Sequence, residues 1–216
     1  MVLLGKELIF PPVETASPEG ILAFGGDLSP QRLMLAYRSG IFPWYNEGEP
    51  IIWYSPKERM VLFPEELHIS KSMKRLLYNH NFRITFNQDF EQVIEQCQKS
   101  PRKHQSGTWI TKEMKQAYIQ LHNLGFARSV EVWKDKDLVG GLYGIDLGHI
   151  FCGESMFSKV SNTSKLAFIR LVQELKKKEY RLIDCQVYNE HLERLGAREI
   201  PRRDFVEMLR MKGGEI

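Results

Sequence analysis

The chain has 216 residues, 43% hydrophobic and 26% charged, which describes an ordinary globular protein of one large or two small domains. No run approaches the roughly 18 to 20 apolar residues of a membrane span, and the stretch from Met1 to Pro12 is too short in apolar core for a secretory signal, so a cytosolic protein without a membrane partner is expected. A formal net charge of +3 does not announce a nucleic-acid binder, and any such role has to rest on local clusters.

The first 60 residues are rich in Gly, Pro and aromatics and poor in periodicity, which predicts a small loop-rich N-terminal domain over 1–60. One helix stands out: Ser29 caps it, Pro30 suits its first turn, Leu33, Ala36 and Tyr37 form its apolar stripe, and Gly40 stops it. Trp44, Tyr45, Trp53 and Tyr54 then crowd among prolines. Aromatics at that density either fill a small core or floor a site where a flat ring stacks.

Regular patterning begins near Arg59 and defines a second domain over 61–216. Residues 70–78 read as a basic helix capped by Ser70, with Lys71, Lys74 and Arg75 on it. Residues 82–87 read as a strand, and Asn87 as the cap of a helix with Phe90, Val93, Ile94 and Cys97 at helical spacing. Thr111 opens the next helix, with Met114, Tyr118 and Leu121 as its stripe and Gly125 beyond its end. Strands at 127–133, 138–145 and 149–154 are joined by short polar turns and form an antiparallel meander. A helix from about Ser164 to Lys178 follows, then a strand at 181–187, a short helix ending at Gly196 and a helix begun by Pro201. This order predicts an α+β fold in which helices wrap a mixed sheet.

Basic clusters at 71–75, at Lys176 to Lys178 and at Arg202 and Arg203 are either solvated helix faces or phosphate contacts. Cys97, Cys152 and Cys185 are odd in number and lack a CxxC pair, so neither a disulfide framework nor a metal site is indicated; buried thiols are expected. Two strands carry carboxylates where a core strand would not. In LIDCQV (182–187), alternation turns Asp184 and Gln186 to the same side. Glu154 lies in the run 148–165. A carboxylate in a core strand is costly unless something polar meets it, although Asp184 is equally readable as a solvated or capping strand-end residue.

The order of elements resembles the coenzyme-A-dependent N-acyltransferase (GNAT-like) fold. That fold holds the coenzyme's pyrophosphate in a glycine-containing loop, and the corresponding segment here, SKVSNTSK, has no glycine. A closer resemblance is carried by GGDLSP (25–30), GIFPWY (40–45), W-x-SP (53–56), LHISKSMKR (67–75), GTWIT (107–111), FCGESMFS (151–158), and LIDCQV with LGAREIPRRDF (195–205). Together these blocks are similar, almost end to end, to the leucyl/phenylalanyl-tRNA–protein transferase family.

The resemblance implies an aminoacyltransferase that needs no cofactor and no metal. It would move Leu or Phe, less readily Met, from leucyl-tRNA or phenylalanyl-tRNA to the α-amine of proteins with N-terminal Arg or Lys, marking them for N-degron proteolysis. It further implies Asp184 and Gln186 as a catalytic pair with Glu154 as a third polar site residue. Leu142, Phe151, Met156, Phe168 and Leu171 match a pocket for the aminoacyl side chain, Trp44 and Trp109 match aromatics around the terminal adenosine, and Lys71, Lys74 and Arg75 match a tRNA-backbone patch. Tyr78 and Asn79 stand where other members can be basic. Whether Asp184 or the tRNA ribose hydroxyl handles the proton stays open at this stage. Rival readings are a coenzyme-A-dependent acetyltransferase, a cysteine acyl carrier on Cys152 or Cys185, and a noncatalytic tRNA-end or N-degron binder. A monomer is the default, since no self-complementary apolar helix stands out.

Overall fold

The computed structural model describes residues 2–78, 81–100 and 109–211. The N-terminal segment is loop-rich as expected, and its short elements include a sheet that the sequence did not announce. Its strands β1 (Val2–Leu4), β2 (Ile21–Gly25), β3 (Phe42–Pro43) and β4 (Ile52–Tyr54) form a sheet in the order β1-β2-β4-β3. Such short strands, broken by Gly and Pro, show no alternation long enough to read. Trp53 is their anchor: it is fully buried, and its indole N–H donates to the carbonyl of Gly25 at 2.9 Å. Helix α1 (Pro30–Arg38) starts as expected, the Ser29 hydroxyl accepting from the amide of Arg32.

A seven-stranded sheet follows, built from β5 (Glu58–Leu62), β6 (Arg83–Phe86), β7 (Ala127–Lys134), β8 (Asp137–Asp146), β9 (Ile150–Ser158), β10 (Leu182–Gln186) and β11 (Arg198–Pro201). Their order is β11-β5-β10-β9-β8-β7-β6, and among the described residues only β9 and β10 in this sheet pair in parallel. The chain passes from one sheet to the other between Tyr54 and Glu58.

Helices cover both faces. α3 (Phe90–Lys99) and α4 (Lys112–Asn123) pack with α1, α7 (Arg202–Arg210) and the N-terminal strands in one apolar core, through Val93, Ile94, Tyr118, Trp53 and Phe205. α2 (Lys71–Leu77), α5 (Thr163–Lys177) and α6 (Glu190–Glu193) close the other face around Met73, Leu166, Phe168 and Leu192. Ser70 and Thr111 cap α2 and α4 as their positions suggested. The cap of α3 is Asp89, which accepts from the amide of Gln92, and not Asn87. Asn87 sits at φ 56° and uses its side-chain oxygen to accept from the amide of Ser129 on β7, so it ties the helix entry to the sheet.

Candidate active site

The site lies where β9 and β10 part. Their parallel pairing runs from Leu182 opposite Ile150 to Asp184 opposite Cys152 and then ceases. Just beyond it both strands bulge. On β9, Gly144 of β8 faces Gly153 and Tyr143 faces Ser155, leaving Glu154 as the extra residue. On β10, Val61 of β5 faces Asp184 and Met60 faces Gln186, leaving Cys185 as the extra residue. A bulge re-aims the side chains around it. Here the two bulges bring Gln186 Nε2 to within 3.3 Å of Glu154 Oε1, as donor to acceptor.

Glu154 is held from the opposite side by two tyrosines. Tyr37 of α1 donates to Oε1 at 2.7 Å and Tyr118 of α4 donates to Oε2 at 3.0 Å, and the two phenol oxygens also contact each other. Burial pushes the Glu154 carboxyl up, the two tyrosine hydrogen bonds pull it back, the charge of Asp184 raises it and that of Arg59 lowers it, leaving it near 7. A carboxyl balanced there exchanges a proton readily at neutral pH.

Asp184 departs from the expectation that it shares a face with Gln186. The bulge at Cys185 and the left-handed backbone of Gln186, φ 59°, break the alternation on which that expectation rested. Gln186 lines the cavity, whereas Asp184 is fully buried behind it. Its Oδ1 accepts from Arg59 Nε at 2.7 Å and from the amide of Gln186 at 3.0 Å, and its Oδ2 accepts from Arg59 Nη2 at 2.7 Å. Arg59 also donates to the carbonyl of Gly40 at 3.1 Å, and its guanidinium carbon lies over the rings of Phe42 and Phe205, 4.7 and 4.6 Å from their centroids.

In front of this assembly opens a cavity of about 470 Å³. Leu142, Phe151, Met156, Phe168 and Leu171 all line it, as do Trp44, Trp109, Glu154 and Gln186. The structure therefore gathers every proposed site residue at one place except Asp184, directly behind it, and Lys71, Lys74 and Arg75, which stand exposed on α2 and are not part of the lining. Of the family-like block GTWIT, Gly107 and Thr108 lie outside the described residues, as does Asn79. The three cysteines are buried, and burial, with the charge of Asp184 nearby, holds the Cys152 and Cys185 thiols well above their usual range. Thiols held that way are poor nucleophiles.

The segment between β9 and α5 is tied down by its own side chains and by β8. The Ser158 hydroxyl accepts from the amide of Ser164 at 2.9 Å, and Thr163 Oγ1 donates to the carbonyl of Val139 at 2.9 Å. Gly140 lies beneath it so closely that a Cβ there would come within 2.3 Å of Thr163 Oγ1. The first turn of α5 is thus pinned onto β8.

Three residues escaped the sequence reading. Tyr37 and Tyr118 looked like core stripe positions, although a buried tyrosine hydroxyl needs a partner, and that need was the available signal. Arg59 carries a stronger one. An arginine leading into Met60, Val61 and Leu62 points into the core and demands a buried counter-charge, and Asp184 in another core strand answers it.

A family model described as leucyl/phenylalanyl-tRNA protein transferase matches residues 61–210, and one for the N-terminal domain of that family matches residues 26–57. The leucyl/phenylalanyl-tRNA–protein transferase of Flavobacterium johnsoniae is 62% identical over 212 residues, covering 98% of this chain and all of that protein. That of Flavobacterium psychrophilum is 55% identical over 210 residues, 97% of this chain and 100% of that one. Among solved structures, FemX is similar with a TM-score of 0.50 at 8% identity, over 80% of this chain and 66% of that chain, a likeness of fold alone.

A mixed sheet wrapped by helices and parted beside a carboxylate and an amide, taken with the matched relatives, defines an aminoacyltransferase. The chain belongs to the leucyl/phenylalanyl-tRNA protein transferase family, whose members transfer an aminoacyl group from tRNA to proteins.

Proposed function

We propose that this enzyme moves Leu or Phe, and less readily Met, from the 3′ end of its tRNA to the α-amine of proteins that begin with Arg or Lys, in the cytosol and as a single chain. The new N-terminal residue then marks those proteins for N-degron proteolysis. The observation that carries this reading is the apolar cavity ending on the Glu154 and Gln186 pair. Its volume of about 470 Å³ falls inside the roughly 300–1,000 Å³ of small-ligand sites. Leu142, Phe151, Phe168 and Leu171 sort side chains by size without polar demands, and the flexible thioether of Met156 adapts to a branched or a flat group. Trp44 and Trp109 stack on the terminal adenosine, and Lys71, Lys74 and Arg75 contact phosphates of the acceptor stem.

The chemistry is aminolysis of an ester, which needs alignment and proton transfer but no metal or redox group. The acceptor amine attacks as the neutral form. The Gln186 amide donates to Glu154, which leaves its oxygen free to accept from that amine and aim its lone pair at the ester carbonyl. As the new C–N bond forms, Glu154 takes the amine proton. The C–O bond to the ribose then breaks, and the proton passes to the departing ribose oxygen, restoring Glu154. Tyr37 and Tyr118 hold the carboxylate in place throughout.

Two rivals are disfavoured on specific grounds. The segment before α5 lacks the glycines of a coenzyme pyrophosphate loop and already binds the Thr163 and Ser164 amides within itself, and a noncatalytic binder has no use for a caged carboxyl near 7. The deciding test is transfer of radiolabelled Leu from charged tRNA to an Arg-starting peptide without added coenzyme A, thiol or metal. Transfer is expected, and its absence with the folded protein would overturn the reading.

A further inference from the structure

Arg59 does not line the cavity, yet it holds Asp184 and the Gly40 carbonyl just beyond α1, and each of these leads to one half of the Gln186 and Glu154 pair. We propose that Arg59 is a positioning residue that acts through Asp184, and that the pair is a charged strut setting the backbone of Gln186 and not the acid–base group of the reaction. This rests on the reading of the cavity as an aminoacyl-transfer site.

The geometry leaves Asp184 no access to a substrate. Its side chain is 0% exposed and that of Arg59 is 2% exposed, so the pair is sealed from the cavity. Both carboxylate oxygens are taken, one by Arg59 Nη2 and the other by Arg59 Nε together with the Gln186 amide. The last of these bonds matters most. Gln186 adopts φ 59°, a left-handed conformation that a residue with a side chain seldom keeps without support, and its own amide N–H is held by Asp184 Oδ1. From that backbone the side chain reaches Glu154.

Arg59 governs the other half of the reactive pair as well. Its Nη1 holds the carbonyl of Gly40, whose own amide donates to the carbonyl of Tyr37, and Tyr37 holds Glu154. The guanidinium thereby joins β5 and β10 to the end of α1, and its carbon lies over the rings of both Phe42 and Phe205. Only a planar fork meets all of these demands at once, and a lysine ammonium would satisfy one carboxylate oxygen and stack poorly.

The test is a double-variant cycle on the intact enzyme, with charged tRNA as donor and an Arg-starting peptide as acceptor. Arg59→Lys should fold and keep its donor KM, yet lose kcat by about 10²-fold, the scale of a misplacement near 1 Å. Arg59→Gln and Asp184→Asn should each lower kcat, and the two together should cost no more than the worse one, because they act as a unit. The double variant should also melt above Arg59→Gln alone, since no orphaned buried carboxylate remains. Where Arg59→Gln fails to fold, Arg59→Lys takes its place in the same cycle.

A pH profile separates a strut from a mere structural prop. Glu154 is faced by Tyr37 from α1, Tyr118 from α4, Gln186 and Asp184 from β10, and Arg59 from β5. Removing the Asp184 charge should move the acid limb of kcat to lower pH, removing Arg59 should move it to higher pH, and removing both should leave it between. Parental kcat in Arg59→Lys, multiplicative losses in the double variant, or disappearance of the acid limb in Asp184→Asn would each overturn the proposal. An unaltered enzyme that transfers nothing would instead condemn the functional reading on which it rests.

Discussion

Gln186 and Glu154 meet as donor and acceptor at 3.3 Å, each two residues beyond the last position at which β10 and β9 pair with each other, Asp184 opposite Cys152. Parallel strands in register would normally bond their backbones there. The two bulges spend those positions on side chains, and the gap they leave is the inner end of the cavity. Strand separation and the contact of Gln186 with Glu154 are therefore one feature of the fold.

Loss of the Asp184 carboxylate leaves Arg59 buried without a counter-charge. Breaking a buried pair by removing one partner costs about 3–5 kcal/mol, so Asp184→Ala should unfold at a clearly lower urea concentration as well as turn over slowly. A parental unfolding midpoint would contradict the sealed pair.

Gln186 offers a cleaner separation of fold from chemistry. Glycine takes φ 59° without steric penalty, so Gln186→Gly should be at least as stable as Gln186→Ala. Both lack the amide that positions the amine, and both should lose roughly 10²–10³-fold in kcat while aminoacyl-adenosine still binds. Full turnover in either variant would remove Gln186 from the reaction.

The raised carboxyl of Glu154 has a definite sign. An acid whose folded value lies above its ordinary 4.5, at about 7, binds more protons in the folded state, so this group's contribution to stability is fullest below about 4.5 and declines as pH rises toward 7. Glu154→Gln should abolish that decline in a series of thermal melts. For activity the direction reverses: kcat should rise with pH through about 7 as the base form appears, and the limb should vanish in Glu154→Gln.

Charge and stacking should separate in tRNA binding. Replacing two of Lys71, Lys74 and Arg75 should weaken binding and flatten its salt dependence by about two units at most. Trp109→Ala should cost on the order of 1–3 kcal/mol with the salt slope unchanged, because a ring on a base releases no counterions. Aminoacyl-adenosine should feel the tryptophan change and ignore the lysine changes. Parental binding of charged tRNA by both sets would move the docking surface elsewhere.

The buried thiols should be dispensable for turnover. Replacing Cys97, Cys152 and Cys185 together by Ala should lower stability and retain transfer, since all three are buried and burial raises the Cys152 and Cys185 thiols. An acyl-thioester trapped on Cys152 or Cys185 would replace direct attack with a covalent route.

Local chemistry was legible in the residues themselves. Ser29, Ser70 and Thr111 announced helix starts because a cap is a contact among near neighbours, and the meander of β7, β8 and β9 was readable from closely spaced strands joined by short polar turns. The short N-terminal strands and the Asp89 cap were not, since two to five residues give no period and Asn87 and Asp89 are both good caps.

Leu142, Phe151, Met156, Phe168 and Leu171, which the resemblance assigned to an aminoacyl pocket, line one cavity, because volume and apolarity are properties of side chains that survive any small shift of backbone. What the chain order could not supply was direction. Alternation along a strand assumes an unbroken pleat, so Asp184 and Gln186 were read as facing one way, and only the tertiary structure placed a bulge between them and turned Asp184 to Arg59, 125 residues away. The cage of Tyr37 and Tyr118 is of the same kind, joining helices to a strand 117 and 36 residues distant. Residue types settle which groups need partners. Which partners they meet is decided by long-range packing, where the burial of each charge has to be answered by a specific neighbour.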